Sequence, residues 1–230
     1  DKKDYLLEGV IRNKNSPLND QLLKIIKLKY PKFDLINTNF ETNNDFSFNI
    51  NNKFKVKNLA INSSILIGSS QFKKNNLISK NFIEINDLID IKDHEIKASY
   101  ANKKLSIEGK GQVKIQNKFE LINYEIINNG SDLNLVSNIE LSELDIKNQS
   151  LIKEYLPKAK DILNLKDHKI EFNFQDNILS LQGSGKIKLE KEFNKIEYFF
   201  STKDKKYNFK TTLDINDTPI KIDFIDSVPR

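Results

Sequence analysis

Apolar and polar residues alternate with a period of two along most of this chain. Between residues 105 and 115 the odd positions are apolar or glycine, and the even positions are Ser, Glu, Lys or Gln. Similar runs lie at 46–50, 59–67, 133–141, 179–189, 207–215 and 220–224. Because successive side chains of a strand point to opposite faces, the pattern predicts strands with one buried face. Polar stretches such as 43–45, 51–53 and 128–130 predict hairpin turns between them.

One strand cassette occurs twice. Residues 91–126 align without a gap with residues 165–200, 74 positions further on, and twelve of the 36 aligned pairs are identical. Self-similarity at a fixed spacing is typical of modular architectures in which each unit stacks on the next. The identical pairs are Lys92/Lys166, Asp93/Asp167, His94/His168, Ile96/Ile170, Leu105/Leu179, Ser106/Ser180, Gly109/Gly183, Gly111/Gly185, Lys114/Lys188, Phe119/Phe193, Ile122/Ile196 and Tyr124/Tyr198.

The repeat predicts how the chain is organised. We expect an N-terminal helix with a degenerate β-repeat at 1–76, one β-repeat at 77–149 and a second at 150–230, all in one continuous sheet. Ser16 as N-cap and Pro17 as first helical residue predict a helix that ends at Pro31. Further short helices are expected at 150–163, broken or kinked by Pro157, and at 77–89. The fold class is therefore a mainly β, antiparallel, twisted and curved sheet of tandem units of about 74 residues with short connecting helices.

Composition narrows the function classes. There are 35 Lys against two Arg, and the net charge is +5. Lys is interleaved with Asp and Glu throughout, whereas nucleic-acid binding relies on Arg and a clustered basic face, so we expect no nucleic-acid partner. The absence of Cys excludes disulfides and thiolate metal sites. The absence of Met, with Asp as residue 1, indicates a piece of a longer or processed chain.

The histidines are the residues most able to carry chemistry. His94 and His168 are the only two, and each follows Lys-Asp. A His pair beside Asp could hold a metal or act in acid–base catalysis. Each recurs at the same place in its own repeat, so we interpret both as polar turns entering strands. Replacing either with Ala should then cost about 1 kcal/mol or less.

The glycine triplets do not have the context of a phosphate loop. Gly109–Gly111 and Gly183–Gly185 lie inside alternating runs, and no helix follows them to meet an anion. Glycine inside a strand marks a bend, a bulge or a close approach by another group. Here we expect local bending of the strands and a shallow hollow in the apolar face; room for a bound chain is the alternative. No nucleophile triad, HExxH or paired-carboxylate motif stands out, so we expect no enzyme activity, no metal and no cofactor.

Several segments resemble the AsmA-like superfamily of Gram-negative envelope proteins. They are YLPKAKDILNLKDHKIEF (155–172), LSLQGSGKIKL (179–189) and LDINDTPIKIDF (213–224), with a shorter echo at 83–100 and 105–115. The resemblance implies a taco-like β-groove that holds phospholipid acyl chains. It also implies a periplasmic location, an inner-membrane anchor outside this chain and outer-membrane partner proteins.

The residues independently favour an exposed apolar surface. A sheet with one continuous apolar face must bury it against something, and few helices are available. We therefore expect a non-enzymatic segment that binds or transfers lipid. The alternative is a structural or protein-interaction module whose apolar faces close into a dry core; a carbohydrate-handling β-solenoid enzyme is a third, weaker option. The expected groove-lining residues are Leu105, Ile107, Gly109, Gly111, Val113, Ile115, Leu179, Leu181, Gly183, Gly185, Ile187 and Leu189.

Overall fold

The fold is all-β. The computed structural model describes residues 4–18, 35–73, 88–130, 132–147, 159–203 and 206–214. Within these residues eleven strands form one sheet and no helix is present, which confirms the expected antiparallel β class. The strands are β1 Asp4–Pro17, β2 Leu35–Asn51, β3 Val56–Lys73, β4 Leu88–Ala101, β5 Lys104–Ile115, β6 Lys118–Asn128, β7 Leu133–Lys147, β8 Ile162–Gln175, β9 Ile178–Lys188, β10 Phe193–Lys203 and β11 Lys206–Leu213.

The strands cross the sheet in the order of the chain. Each is antiparallel to its neighbours, and β1 and β11 are the outer strands of the sheet in the described part. Two links are two-residue turns in which both residues have positive φ: Asn102 and Lys103 at 51° and 64°, and Asp176 and Asn177 at 52° and 59°. This turn geometry matches the twist of antiparallel hairpins, so it favours a simple meander.

The turn expected at residues 43–45 is wrong, because these residues lie inside β2. The side-chain amide of Asn44 donates to the carbonyl of Ile11 at 3.2 Å and to the hydroxyl of Thr42 at 3.0 Å. Polar side chains can thus form their hydrogen bonds within a continuous strand, and a cluster of Asn residues does not have to end the strand.

One face of the sheet is apolar. Cross-strand register carries the period-two pattern from strand to strand, because residues directly opposite one another share a face. The register places Ile107 opposite Ile126, Ile126 opposite Leu135, Leu135 opposite Phe174, and Phe174 opposite Leu179. We call these five residues the apolar stripe. It runs across β5–β9, perpendicular to the strands, and each of its side chains is partly exposed.

Burial on the apolar face is concentrated at one end of the strands. Leu163 is 0% exposed and Leu189 is 1% exposed, and they form a core cluster with Ala159 and Ile187. This is the end where the long connections join β1 to β2, β3 to β4 and β7 to β8. We call this cluster the closed end. The apolar stripe lies toward the other end, so the face has a buried part and a partly exposed part.

The helix predictions fall largely on residues outside the described part of the chain. Residues 19–34, 74–87 and 148–158 are not described. Where the predictions overlap described residues they are wrong. Ser16 and Pro17 belong to β1, Ile89 to β4, and Ile162 and Leu163 to β8. At Leu163 the period-two pattern of the strand extends further toward the N-terminus than the helical spacing suggested.

We expect Leu163→Ala to lower the free energy of unfolding by about 2–5 kcal/mol, because it removes a fully buried side chain from the closed end and leaves a cavity. The neighbouring Ile162 is 49% exposed, so Ile162→Ala should cost less than about 1 kcal/mol. Urea denaturation of the parent and the two variants measures both losses in the free energy of unfolding. Equal losses would show that the closed end is not a core.

Candidate functional site

Both histidines lie in mid-strand bulges, so their assignment to turns is wrong. In β4 the register with β5 shifts between Lys92 and Glu95, and Asp93 has a φ of 49°. In β8 the register with β9 shifts at the equivalent place, and Asp167 has a φ of 54°. A bulge inserts one extra residue, and here it directs the following His onto the apolar face. His94 is 8% exposed and His168 1% exposed, so neither is a surface residue.

Each histidine contacts a tyrosine two strands away. Nε2 of His94 on β4 is 3.0 Å from the hydroxyl of Tyr124 on β6, and the ring centroids are 5.5 Å apart. Strand β5 lies between them and carries Gly109 and Gly111 at the crossing. We call these four residues the first His–Tyr cluster. The contact across β5 is possible because neither glycine has a side chain to occupy the space.

The second His–Tyr cluster consists of His168, Gly183, Gly185 and Tyr198. Nδ1 of His168 is 3.3 Å from the Tyr198 hydroxyl, and the ring centroids are 5.9 Å apart. Nε2 of His168 lies 2.9 Å from the carbonyl of Lys186, which can only accept. Nε2 therefore carries the proton, and Nδ1 accepts from the tyrosine hydroxyl. Nδ1 of His94, by contrast, has no partner among the described residues.

Burial favours the neutral form of all four rings. It lowers the pKa of His94, and it lowers the pKa of His168 against the opposing effects of the Lys186 carbonyl and the Asp167 carboxylate. Burial also raises the pKa of Tyr124 and raises that of Tyr198 to about 12. Neutral His–Tyr pairs suit a structural contact in an apolar environment, since no charge has to be desolvated.

The hollow expected over the glycines is filled. A Cβ atom at Gly109 or Gly183 would collide with the tyrosine ring of its cluster, and one at Gly111 or Gly185 with the histidine ring. The glycines therefore mark a close approach by neighbouring rings, one of the roles that glycine takes inside strands.

The other predicted groove residues divide between the two parts of the apolar face. Leu105, Ile107, Leu179 and Leu181 are partly exposed and lie in or beside the apolar stripe. Val113 and Ile115 are partly buried near the other end of β5, and Ile187 and Leu189 belong to the closed end. The structure thus places the two pairs 105/107 and 179/181 where an apolar ligand could reach them.

The opposite face of the sheet is polar and carries two open cavities. One, of about 340 Å³, is lined by residues of β2–β5, among them Asn62 and Glu108. The other, of about 750 Å³, spans β6–β11 and includes Asn138, Glu171 and Gln182. Their amides and carboxylates do not suit an acyl chain, because an apolar chain would desolvate these polar groups.

The described residues contain no metal-binding group of three or more His, Asp or Glu side chains. In the same part of the chain, no helix is long and apolar enough to cross a membrane.

Sequence reasoning missed the His–Tyr clusters, although a signal for them was present. His94, Gly109, Gly111 and Tyr124 are all among the positions that are identical in the two copies. The four are far apart in sequence and meet only through the register of three strands. The presence of His, Gly and Tyr at the same spacings in both copies was therefore the signal of a contact between them.

Comparison with known proteins adds no identification. A scan against protein-family models found no match, and searches of curated proteins and of solved structures returned none either. The resemblance to the AsmA-like superfamily therefore stays a prediction.

We expect Gly185→Ala to lower the free energy of unfolding by about 1–3 kcal/mol, because its methyl group would meet the buried His168 ring. Gly68→Ala is the matched control, since a methyl group on that strand glycine meets nothing within 4 Å. It should be neutral or stabilising by up to about 1 kcal/mol. Chemical denaturation of both variants measures the change in the free energy of unfolding. A Gly185→Ala variant as stable as the parent would contradict the ring contact.

Stability should fall as the pH drops from 7.5 to 5.5. The folded pKa of each histidine is lowered, so the unfolded chain takes up protons below about pH 6.5 that the folded chain refuses. Each group can contribute at most about 1.4 kcal/mol per pH unit. Urea midpoints measured across this range should shift less in His168→Gln than in the parent. Identical pH profiles would show that His168 is accessible to protons in the folded state.

Proposed function

We propose that this protein is a non-enzymatic lipid-binding segment that holds acyl chains along its apolar stripe. The observation that carries the proposal is a single-layer sheet whose apolar face is only partly buried. Among the described residues no second sheet covers the stripe. Burying such a face is strongly favourable, so a hydrophobic ligand has a driving force to bind there.

The length and direction of the apolar stripe suit an acyl chain that slides along it. Its five residues cross five strands, and strands are spaced by about 4.8 Å, so the stripe extends over about 19 Å. An acyl chain spans one leaflet, about half of the 30 Å hydrocarbon core. A single acyl chain would therefore lie along the stripe, across the strands, while its head group stays in water.

Tandem organisation is part of the same proposal. We infer that residues 77–149 and 150–230 are two units of one repeating, curved sheet. Both units have a bulge at the Asp before His, a GxG strand and a Tyr contact. In each, a lysine ammonium also lies over a phenylalanine ring: Lys92 over Phe119 at 4.1 Å, and Lys166 over Phe193 at 5.7 Å.

The envelope setting follows from the AsmA-like resemblance alone. The segment would then be periplasmic, tethered to the inner membrane by a part outside this chain, with outer-membrane partner proteins. Phospholipid is the corresponding ligand class.

A structural or protein-interaction module is the second candidate, and the closed end favours it. Leu163 and Leu189 show that part of the apolar face already forms a dry core. If a partner covers the stripe in the same way, the whole face is structural and no lipid binds.

We expect Leu181→Asp to abolish retention of phospholipid while the chain still folds. Leu181 lies between Phe172 and Phe200 on the partly exposed part of the apolar face. An acyl chain bound there would strip water from the Asp carboxylate, which is costly, whereas in the free chain the carboxylate stays hydrated and the fold is kept. Native mass spectrometry of gently purified chain should show bound phospholipid reduced at least about tenfold, a difference of about 1.4 kcal/mol or more.

The matched control is Ser180→Asp, one residue away on the polar face between Asn173 and Ser201. It should retain lipid like the parent. A parent without lipid, together with a Leu181→Asp variant that fails to fold, would favour the structural module.

A further inference from the structure

We propose that the polar face of the sheet carries a separate binding site, for a linear neutral oligosaccharide, in the cavity that spans β6–β11. The inference does not depend on lipid binding, because this site lies on the face opposite the apolar stripe. The cavity volume, about 750 Å³, is within the range of small-ligand sites. Six of its lining residues form one row across the strands, each directly opposite the next. We call them the polar row: Asn123, Asn138, Glu171, Gln182, Phe199 and Lys210.

Phe199 is the unusual member of the polar row. Its chain neighbours Tyr198 and Phe200 lie on the apolar face, whereas Phe199 lies on the polar face, opposite Gln182 and Lys210. It is partly exposed and lines the cavity. Packing does not account for the ring, because neither residue opposite it is apolar. The electron-rich face of an aromatic ring attracts the weakly positive C–H groups on one side of a sugar ring. Phe199 is therefore suited to stack against a sugar.

The polar side chains beside Phe199 are available to a ligand. Those of Asn138, Glu171 and Gln182 form no hydrogen bond or ion pair with another residue in the described part of the chain. An amide has both donors and acceptors, and a carboxylate can accept two hydrogen bonds. Adjacent sugar hydroxyls suit these groups, since each hydroxyl donates one hydrogen bond and accepts others. Strands β6–β10 are paired on both sides, so a ligand here contacts side chains rather than free backbone groups.

Charge and length narrow the class of ligand. The charged residues of the lining are three carboxylates and two ammonium groups, from Glu140, Glu171, Glu197, Lys169 and Lys210. Glu140 and Lys169 lie 4.0 Å apart and offset each other. A nucleic acid needs a clustered basic surface, which this lining does not offer. The polar row crosses six strands spaced by about 4.8 Å, so it extends over about 24 Å. A linear chain of sugar rings fits this length better than a single sugar does.

The first copy of the repeat provides an internal comparison. Positions 74 residues before the last five members of the polar row form a row with the same register: Ser64, Lys97, Glu108, Glu125 and Val136. In this row Glu125 takes the place of Phe199, and Glu108 takes the place of Gln182. Two carboxylates directly opposite each other repel, and neither can stack on a sugar. The two rows thus share their geometry, but only the polar row has the chemistry of an oligosaccharide site.

Tryptophan fluorescence tests the location of the site, because the full chain has no Trp of its own. Phe199→Trp places a single reporter in the polar row and keeps an aromatic ring for stacking. Titration with cellohexaose, an extended neutral glucan, should change its emission saturably, with a Kd below about 1 mM. Glu125→Trp, at the equivalent position of the first copy, is the matched control, and its emission should not change. An unchanged Phe199→Trp signal, or the same response in both variants, would refute the site.

Isothermal titration calorimetry of the full chain with cellohexaose tests the contributions of the side chains. Phe199→Ala and Gln182→Ala should each weaken binding at least about tenfold. Gln182 is exposed, so its loss should leave the fold intact, and thermal unfolding of each variant checks this. Glu108→Ala, the equivalent of Gln182→Ala in the first copy, should bind like the parent. Leu181→Asp should too, because Leu181 lies on the apolar face. A parent that does not bind cellohexaose, or equal losses in Gln182→Ala and Glu108→Ala, would overturn the proposal.

Discussion

The structure depends on a contact that reaches over a strand. In an antiparallel meander, backbone hydrogen bonds join each strand only to its neighbours. The His–Tyr clusters add a side-chain contact between strands that are not neighbours, β4 with β6 and β8 with β10. The contact needs two features together. Glycines in the middle strand leave the space, and the bulge before each histidine turns its ring into that space.

The sequence predicts much of the fold because strand periodicity is a local property. The alternation around Leu105 and Leu179 predicts which residues share a face, and the register confirms it for the apolar stripe. The alternation does not show how deeply each residue of the apolar face is buried. Ile187 and Leu181 follow the same pattern on β9, yet one is in the closed end and the other is partly exposed. Their difference arises from what lies beyond the strand, which periodicity does not encode.

The bulges explain the main error in the site. Lys-Asp-His consists of polar residues that are frequent in turns, and the Asp of each triplet does adopt the positive φ that many turns require. A turn and a bulge therefore have the same local signature. Only pairing on both sides distinguishes them, and that pairing involves β3 and β5 for His94. Long-range register decided between two local conformations that the sequence permits equally.

The apolar face has a buried part and a partly exposed part. Its buried residues, among them Leu163 and Leu189, lie at one end, and its partly exposed residues lie toward the other. The His–Tyr clusters lie between the two. Paired polar atoms at this boundary fix the strands without adding apolar surface. The exposed part can then vary in sequence while the closed end keeps the sheet together.

The sequential order of the strands has a mechanical consequence. A force applied to the two ends of the chain would load the outer strands first, and each strand could peel away after breaking bonds to a single neighbour. At β4 and β8 this changes, because the histidine ring of each holds a tyrosine two strands further on. Extension would pause there until three strands released together. The sheet would therefore resist stretching in steps, at positions set by two histidines.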